Sequence, residues 1–142
     1  MQVNNIANPE SPTKGVVLVV DDHPVNRLLI QTILDKDGWS VVEAQSSDEV
    51  MELLVAGLRP VAIFMDIRMP KGDGFSATRR IRLWEASQQR APVPVIAFTG
   101  DTAAEFGDEA ARAGMNGYLS KPVTVTQIRA VLATLPGTAA DR

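Results

Sequence analysis

Cysteine is absent from the 142 residues, which excludes structural disulfides, thiolate zinc centres and thiol catalysis. No Lys/Arg cluster stands out and the net charge is −3, so the broad basic footprint of a nucleic-acid binder is missing. The longest apolar runs are about five or six residues, far below the roughly 20 that span a bilayer. The first residues lack the charged-then-apolar order of a signal peptide. Neither GxGxxG nor GxxxxGK[ST] occurs, which disfavours a nucleotide-binding fold. What is present is ordinary for a soluble globular chain, with 45% hydrophobic and 22% charged residues. This length suits one domain with a core that needs no staples.

Residues 1–14 and 136–142 have no apolar period and read as a disordered leader and a flexible tail. Between them, over 15–135, strand-like and helix-like segments alternate. Val16 to Val20 is a continuous run typical of a strand buried on both faces. Pro24 suits a first helical turn, Val25, Leu28, Leu29, Ile33 and Leu34 follow at helical spacing, and Gly38 stops the helix. Further strands are expected near Ser40 to Glu43, Val61 to Met65, Pro94 to Phe98 and around Tyr118 and Leu119. Capping-box pairs Ser46/Glu49, Thr102/Glu105 and Thr124/Gln127 open three of the helices. Gly74 precedes a helix with Phe75, Ile81 and Trp84 inward, and the last helix presents Val125, Ile128, Val131, Leu132 and Leu135. Five successive β-then-α units predict a single α/β (βα)5 domain, doubly wound and flavodoxin-like, with a parallel sheet in the order 2-1-3-4-5.

Five polar residues then fall at strand ends. Asp21 and Asp22 follow VVLVV, Asp66 follows VAIFM, Thr99 follows VPVIAF, and Lys121 follows GYLS. In an open α/β sheet ligands bind outside the carboxyl ends of the strands. With strands one and three adjacent, three carboxylates share one edge and repel. A hard divalent ion resolves this: Mg²⁺ takes one or two carboxylates, keeps waters and bridges to phosphoryl oxygens. A central carboxylate such as Asp66 can be a nucleophile toward phosphorus. Phosphoryl transfer needs alignment and charge neutralisation, which a lysine and a hydroxyl supply.

VVDDHPVNR, FMDIRMPKGDGF, PVIAFTG and GYLSKPV resemble, in order, spacing and strand context, the receiver domains of two-component response regulators. The likeness covers about residues 16–135, and the wording is most like receivers attached to hybrid sensor histidine kinases. It implies Asp66 as phosphoacceptor and Asp21, Asp22, Asp66 and the backbone carbonyl of Arg68 as the Mg²⁺ site, with Mn²⁺ as an acceptable substitute. It further implies Thr99 as switch hydroxyl, Tyr118 as the aromatic that rotates with it, Lys121 as phosphate-binding lysine, and a cis peptide bond between Lys121 and Pro122. The protein would catalyse its own aspartyl phosphorylation and dephosphorylation without being a conventional turnover enzyme.

The implied partner is a histidine kinase or histidine phosphotransfer domain, docking near Asn26 and Arg27 of the first helix. The chain's one histidine, His23, is read as a surface or capping residue, so the chain carries no phosphohistidine module of its own. The output face would be the fourth helix through the fifth, about Thr102 to Leu135, with no nucleic acid or membrane contact expected. The expected location is cytoplasmic, tethered to a membrane sensor kinase if the chain is a piece of one. Gly72, beside Asp73, and Gly100 depart from the usual pattern and loosen the loops that carry them. Arg68 and Asp101 flank the pocket with opposite charges, and a pair between them would hinder the attacking water. Two rivals remain: a pseudo-receiver that is only a docking module, and a haloacid-dehalogenase-type phosphatase. The latter would want an aspartate where Arg68 stands.

Overall fold

A computed structural model describes residues 14–69, 74–100 and 103–135, without the side chains of 99 and 103–106. The expected leader as far as residue 13, the tail, Gly72, Asp73, Asp101 and the Thr102/Glu105 capping pair lie outside the described residues or side chains. Lys14, the last residue assigned to the leader, instead donates its backbone N–H to the Gly38 carbonyl at 3.1 Å. Strands β1 (Val16–Val20), β2 (Ser40–Ala44), β3 (Ala62–Asp66), β4 (Val95–Thr99) and β5 (Gly117–Ser120) alternate with helices α1 (Pro24–Lys36), α2 (Ser47–Val55), α3 (Gly74–Ser87), α4 (Ala103–Ala113) and α5 (Val125–Ala133). The five strands form one parallel sheet in the order β2-β1-β3-β4-β5.

Alternation along each strand splits the core in two. Leu18, Val20, Ile63, Met65 and Ala97 face one way, against Val50 and Leu54 of α2, Phe75 and Ile81 of α3, and Ala110 and Ala113 of α4. Val17, Val19, Phe64, Ile96 and Phe98 face the other way, against Ile30, Ile33 and Leu34 of α1 and Ile128 and Leu132 of α5. A sheet covered on both faces accounts for the unbroken apolar strands.

The local signals act as their chemistry requires. Pro24 occupies the first turn of α1, where a missing N–H costs nothing. Thr124 and Gln127 form a reciprocal capping box at 3.1 and 3.0 Å. At α2 only half of the box forms: Ser46 accepts from the Glu49 N–H, whereas the Glu49 carboxylate accepts from the Gln45 N–H.

The stripe assigned to α1 needs correction. Val25, Leu28 and Leu29 are 75%, 62% and 46% exposed. The buried face is instead Asn26, Ile30, Ile33 and Leu34, which recur at i, i+4, i+7 and i+8. Val125, at the first turn of α5, is also exposed rather than part of the inner stripe.

Gly74 sets the start of α3 against the end of β3. A Cβ there would lie 2.6 Å from the Asp66 carbonyl oxygen and 2.9 Å from the Met65 side chain, while the Gly74 N–H donates to the Ile67 carbonyl at 2.8 Å. Gly107 within α4 has nothing within 4 Å of such a Cβ. Gly74→Ala should therefore lower the unfolding free energy by about 1–3 kcal/mol, as overpacking does. Gly107→Ala should raise it by about 0.5–1 kcal/mol, because alanine has less backbone entropy to lose in a helix. Urea unfolding of the two variants beside wild type measures both.

Candidate functional site

The order β2-β1-β3 places the switch point of the sheet between β1 and β3. Asp21 and Asp22 leave the end of β1 there, and Asp66 is the last residue of β3, in register with Phe98. Asp21 and Asp66 are buried and Asp22 is partly so. One ligand atom each from Asp21, Asp22, His23 and Asp66 lie within 4.8 Å of one another.

Each carboxylate is held differently. Asp21 accepts from the His23 N–H at 2.9 Å and from Asn26 Nδ2 at 3.0 Å, and Lys121 Nζ lies 3.6 Å from its Oδ2. Burial alone would raise its pKa, but these donors and the lysine charge together hold it below the ordinary value. Asp66 accepts from Lys121 Nζ and from the Arg68 N–H, each at 3.3 Å. Burial first, and then the Asp21 charge, push its pKa up to about 6 against the pull of Lys121. Asp22 Oδ1 is buried and has no hydrogen-bond partner among the described residues, although His23 Nδ1 comes within 3.2 Å. An orphaned buried oxygen beside two crowded carboxylates is what a hard cation would satisfy, and an all-oxygen donor set fits Mg²⁺.

Lys121, the residue after β5, closes the site, with its ammonium 5.0 Å from the centre of the Phe98 ring. The Lys121–Pro122 peptide bond is cis. Thr99 ends β4 in register with Ser120, which places its backbone on the same edge; its hydroxyl lies outside the described side chains. Tyr118 is outward-facing on β5. Arg68 is exposed, immediately beyond the pocket.

Asn26 and Arg27 are not the exposed contact expected of them. Asn26 is spent on Asp21, and Arg27 donates from Nη1 to the Asp21 carbonyl at 2.6 Å and from Nε to Glu43 at 2.8 Å. The sequence carried a signal for Asn26: it lies four residues before Ile30 and seven before Ile33, on the buried face of α1.

Residues 17–133 match the family model described as the response regulator receiver domain. The chain belongs to the receiver domain family. It is 33% identical over 135 residues to the sensor protein GacS of Pseudomonas syringae pv. syringae, covering 95% of this chain and 15% of that protein. Among solved structures, the receiver domain of sensor histidine kinase PA1611 from Pseudomonas aeruginosa, with magnesium coordinated in its active-site cleft, superimposes with a TM-score of 0.76 at 32% identity. That match covers 89% of this chain and 100% of that one. The receiver of Saccharomyces cerevisiae Ssk1, solved with the histidine phosphotransfer protein Ypd1, gives a TM-score of 0.79 at 27% identity over 85% of this chain and 88% of the other. The receiver spans only 7–15% of the length of the curated relatives it matches, which include hybrid histidine kinases. It is thus a two-component receiver, homologous to those of hybrid kinases.

The raised pKa of Asp66 has a thermodynamic sign. A carboxyl group whose folded pKa of about 6 exceeds its reference value of 3.8 binds more protons folded than unfolded, so metal-free stability falls as pH rises between those values. Asp66→Asn removes the buried charge. It should flatten that pH dependence and stabilise the metal-free protein at pH 7 by about 1–3 kcal/mol. Urea titrations at pH 4.5 and 7 in chelator measure it.

Proposed function

We propose that this receiver accepts a phosphoryl group on Asp66 from the phosphohistidine of a partner phosphotransfer domain or kinase. The supporting observation is the placement of Asp66, buried at the switch point beside Asp21 and Asp22 and within 3.3 Å of the Lys121 ammonium. An Asp66 carboxylate oxygen attacks phosphorus, an O–P bond forms, and the P–N bond breaks with its electron pair left on the imidazole nitrogen. Lys121 stays on the phosphoryl oxygens as charge builds there. Asp21, Asp22, Asp66 and the Arg68 carbonyl would hold Mg²⁺, which neutralises phosphoryl charge when bound. The Thr99 hydroxyl then engages the phosphoryl group, and Tyr118 moves from its exposed position. That shift remodels the face from α4 through β5 to α5 on which an effector docks. The receiver unit is assigned to residues 15–135, and its setting to the cytoplasm.

The phosphodonor is assigned to the outer face of α1. Val25, Leu28 and Leu29 expose apolar surface there. Beside them a cavity of about 340 Å³ opens between α1 and the chain after β5, lined by Leu29, Phe98, Pro122 and Val123 with Lys121 at its rim. The cavity thus runs from the docking patch toward the acidic site.

Two measurements test this reading. Intact mass after acetyl phosphate treatment should show one added phosphoryl group that needs Mg²⁺ and is lost in Asp66→Asn; no gain from either acetyl phosphate or a phosphorylated phosphotransfer domain would make this a pseudo-receiver. Leu28→Asp, at a position outside the site, should slow transfer from a phosphotransfer domain by about tenfold or more, equivalent to at least about 1.4 kcal/mol. It should leave labelling by acetyl phosphate unchanged, and equal slowing of both would reject α1 as the docking face.

A further inference from the structure

We propose that His23 is a direct metal ligand at the acidic edge, so that this receiver holds borderline transition ions such as Zn²⁺ through one nitrogen and several carboxylate oxygens. The inference rests on the metal reading of Asp21, Asp22 and Asp66 above, and adds a donor of different chemistry to it.

His23 occupies the N-cap position of α1, with φ −97° and ψ 117°, yet its side chain makes no capping hydrogen bond. The ring turns back over the end of β1 instead. Its Nδ1 lies within hydrogen-bond distance of Asp21 Oδ1, at 3.4 Å, and 3.2 Å from Asp22 Oδ1. The shorter approach is not a hydrogen bond, since Asp22 Oδ1 is buried with no hydrogen-bond partner. In the tautomer that carries its proton on Nε2, Nδ1 turns a lone pair toward that orphaned oxygen, and the two are placed as ligands of a common ion. Adjacent donors on an octahedral ion with bonds of ~2.1 Å sit ~3 Å apart, and opposite donors ~4.2 Å apart. The four ligand atoms span no more than 4.8 Å, so small side-chain rotations bring all of them onto one ion.

Lys121 does not compete for that position. Its ammonium approaches Asp21 Oδ2 and Asp66 Oδ1, whereas His23 meets Oδ1 of Asp21 and of Asp22. The imidazole is largely exposed, so an ion entering from solvent meets it first. Imidazole suits Zn²⁺, Ni²⁺ and Cu²⁺, whereas carboxylates and water suit Mg²⁺. An all-aspartate site is therefore biased toward Mg²⁺, and a histidine at its rim moves the balance toward the later first-row ions.

His23 is the chain's one histidine, so every imidazole signal of the untagged protein belongs to it. Zn²⁺ titrated to one equivalent into the ¹⁵N-labelled full chain should shift the Nδ1 resonance to its metal-bound position, and Mg²⁺ should not. His23→Asn retains a preferred N-cap residue. By calorimetry it should weaken Zn²⁺ binding at least tenfold and change Mg²⁺ affinity by less than about twofold. Zn²⁺ binding without an Nδ1 shift, or with equal affinity in the variant, would overturn the role of His23 while leaving the aspartate site intact. Binding of neither ion by wild type would overturn the metal reading itself.

Discussion

Three aspartates at one buried sheet edge, faced among the described residues by the Lys121 ammonium, are the constraint around which this molecule is arranged. Parallel pairing of β1 with both β2 and β3 brings Asp21 and Asp22 against Asp66, and burial makes their mutual repulsion costly. The fold divides the burden unevenly. Asp21 is held charged by the His23 N–H, Asn26 and Lys121. Asp66 is left with a pKa of about 6, and Asp22 keeps a buried oxygen without a hydrogen-bond partner. A site poised in this way gains most from a cation, and Asp66 is the carboxylate that burial has left least comfortable with its charge.

The opposite end of the sheet shows what a purely structural carboxylate looks like. Glu85 is equally buried, but it accepts from Arg82 at 2.8 Å and from the Val93 N–H at 2.7 Å. Arg82 in turn donates to the Gly114 carbonyl and to Asn116, which also accepts from the Val95 N–H. That network ties α3 to the start of β4 and to the turn after α4, with its acceptors matched to donors. The contrast between Glu85 and Asp22 is the contrast between a carboxylate whose oxygens are matched by donors and one with a buried oxygen left without a hydrogen-bond partner among the described residues. Fully satisfied polar clusters rigidify, whereas a buried unsatisfied group calls for a functional account.

Helix α1 serves both demands. Its inner face packs Ile30, Ile33 and Leu34 on the sheet, while Asn26 and Arg27 reach back to the acidic turn. Its outer face leaves Val25, Leu28 and Leu29 in solvent. Apolar residues on both sides of one helix make its spacing ambiguous, and for that reason the sequence set Val25, Leu28 and Leu29 beside the correctly placed Ile33 and Leu34. The same ambiguity hid that Asn26 and Arg27 reach back to the acidic turn.

The fold class, the strand order and the positions of Asp21, Asp22, Asp66, Thr99 and Lys121 on one edge were legible from the chain. Five short apolar runs separated by capped helical segments admit few topologies, and a polar residue at the end of each run needs no side-chain detail to be placed. Tertiary structure alone decided how the carboxylates share their charge. The sequence puts Asp21 and Asp22 side by side as equals; only packing buries both oxygens of the first among donors and strands one oxygen of the second. It likewise decided that His23 turns toward the aspartates rather than capping its helix, and that Gly74 presses on the carbonyl of Asp66. Position along a strand is a local property, fixed by periodicity. Burial, donor geometry and the orientation of a helix about its own axis depend on neighbours distant in sequence, and no local pattern records them.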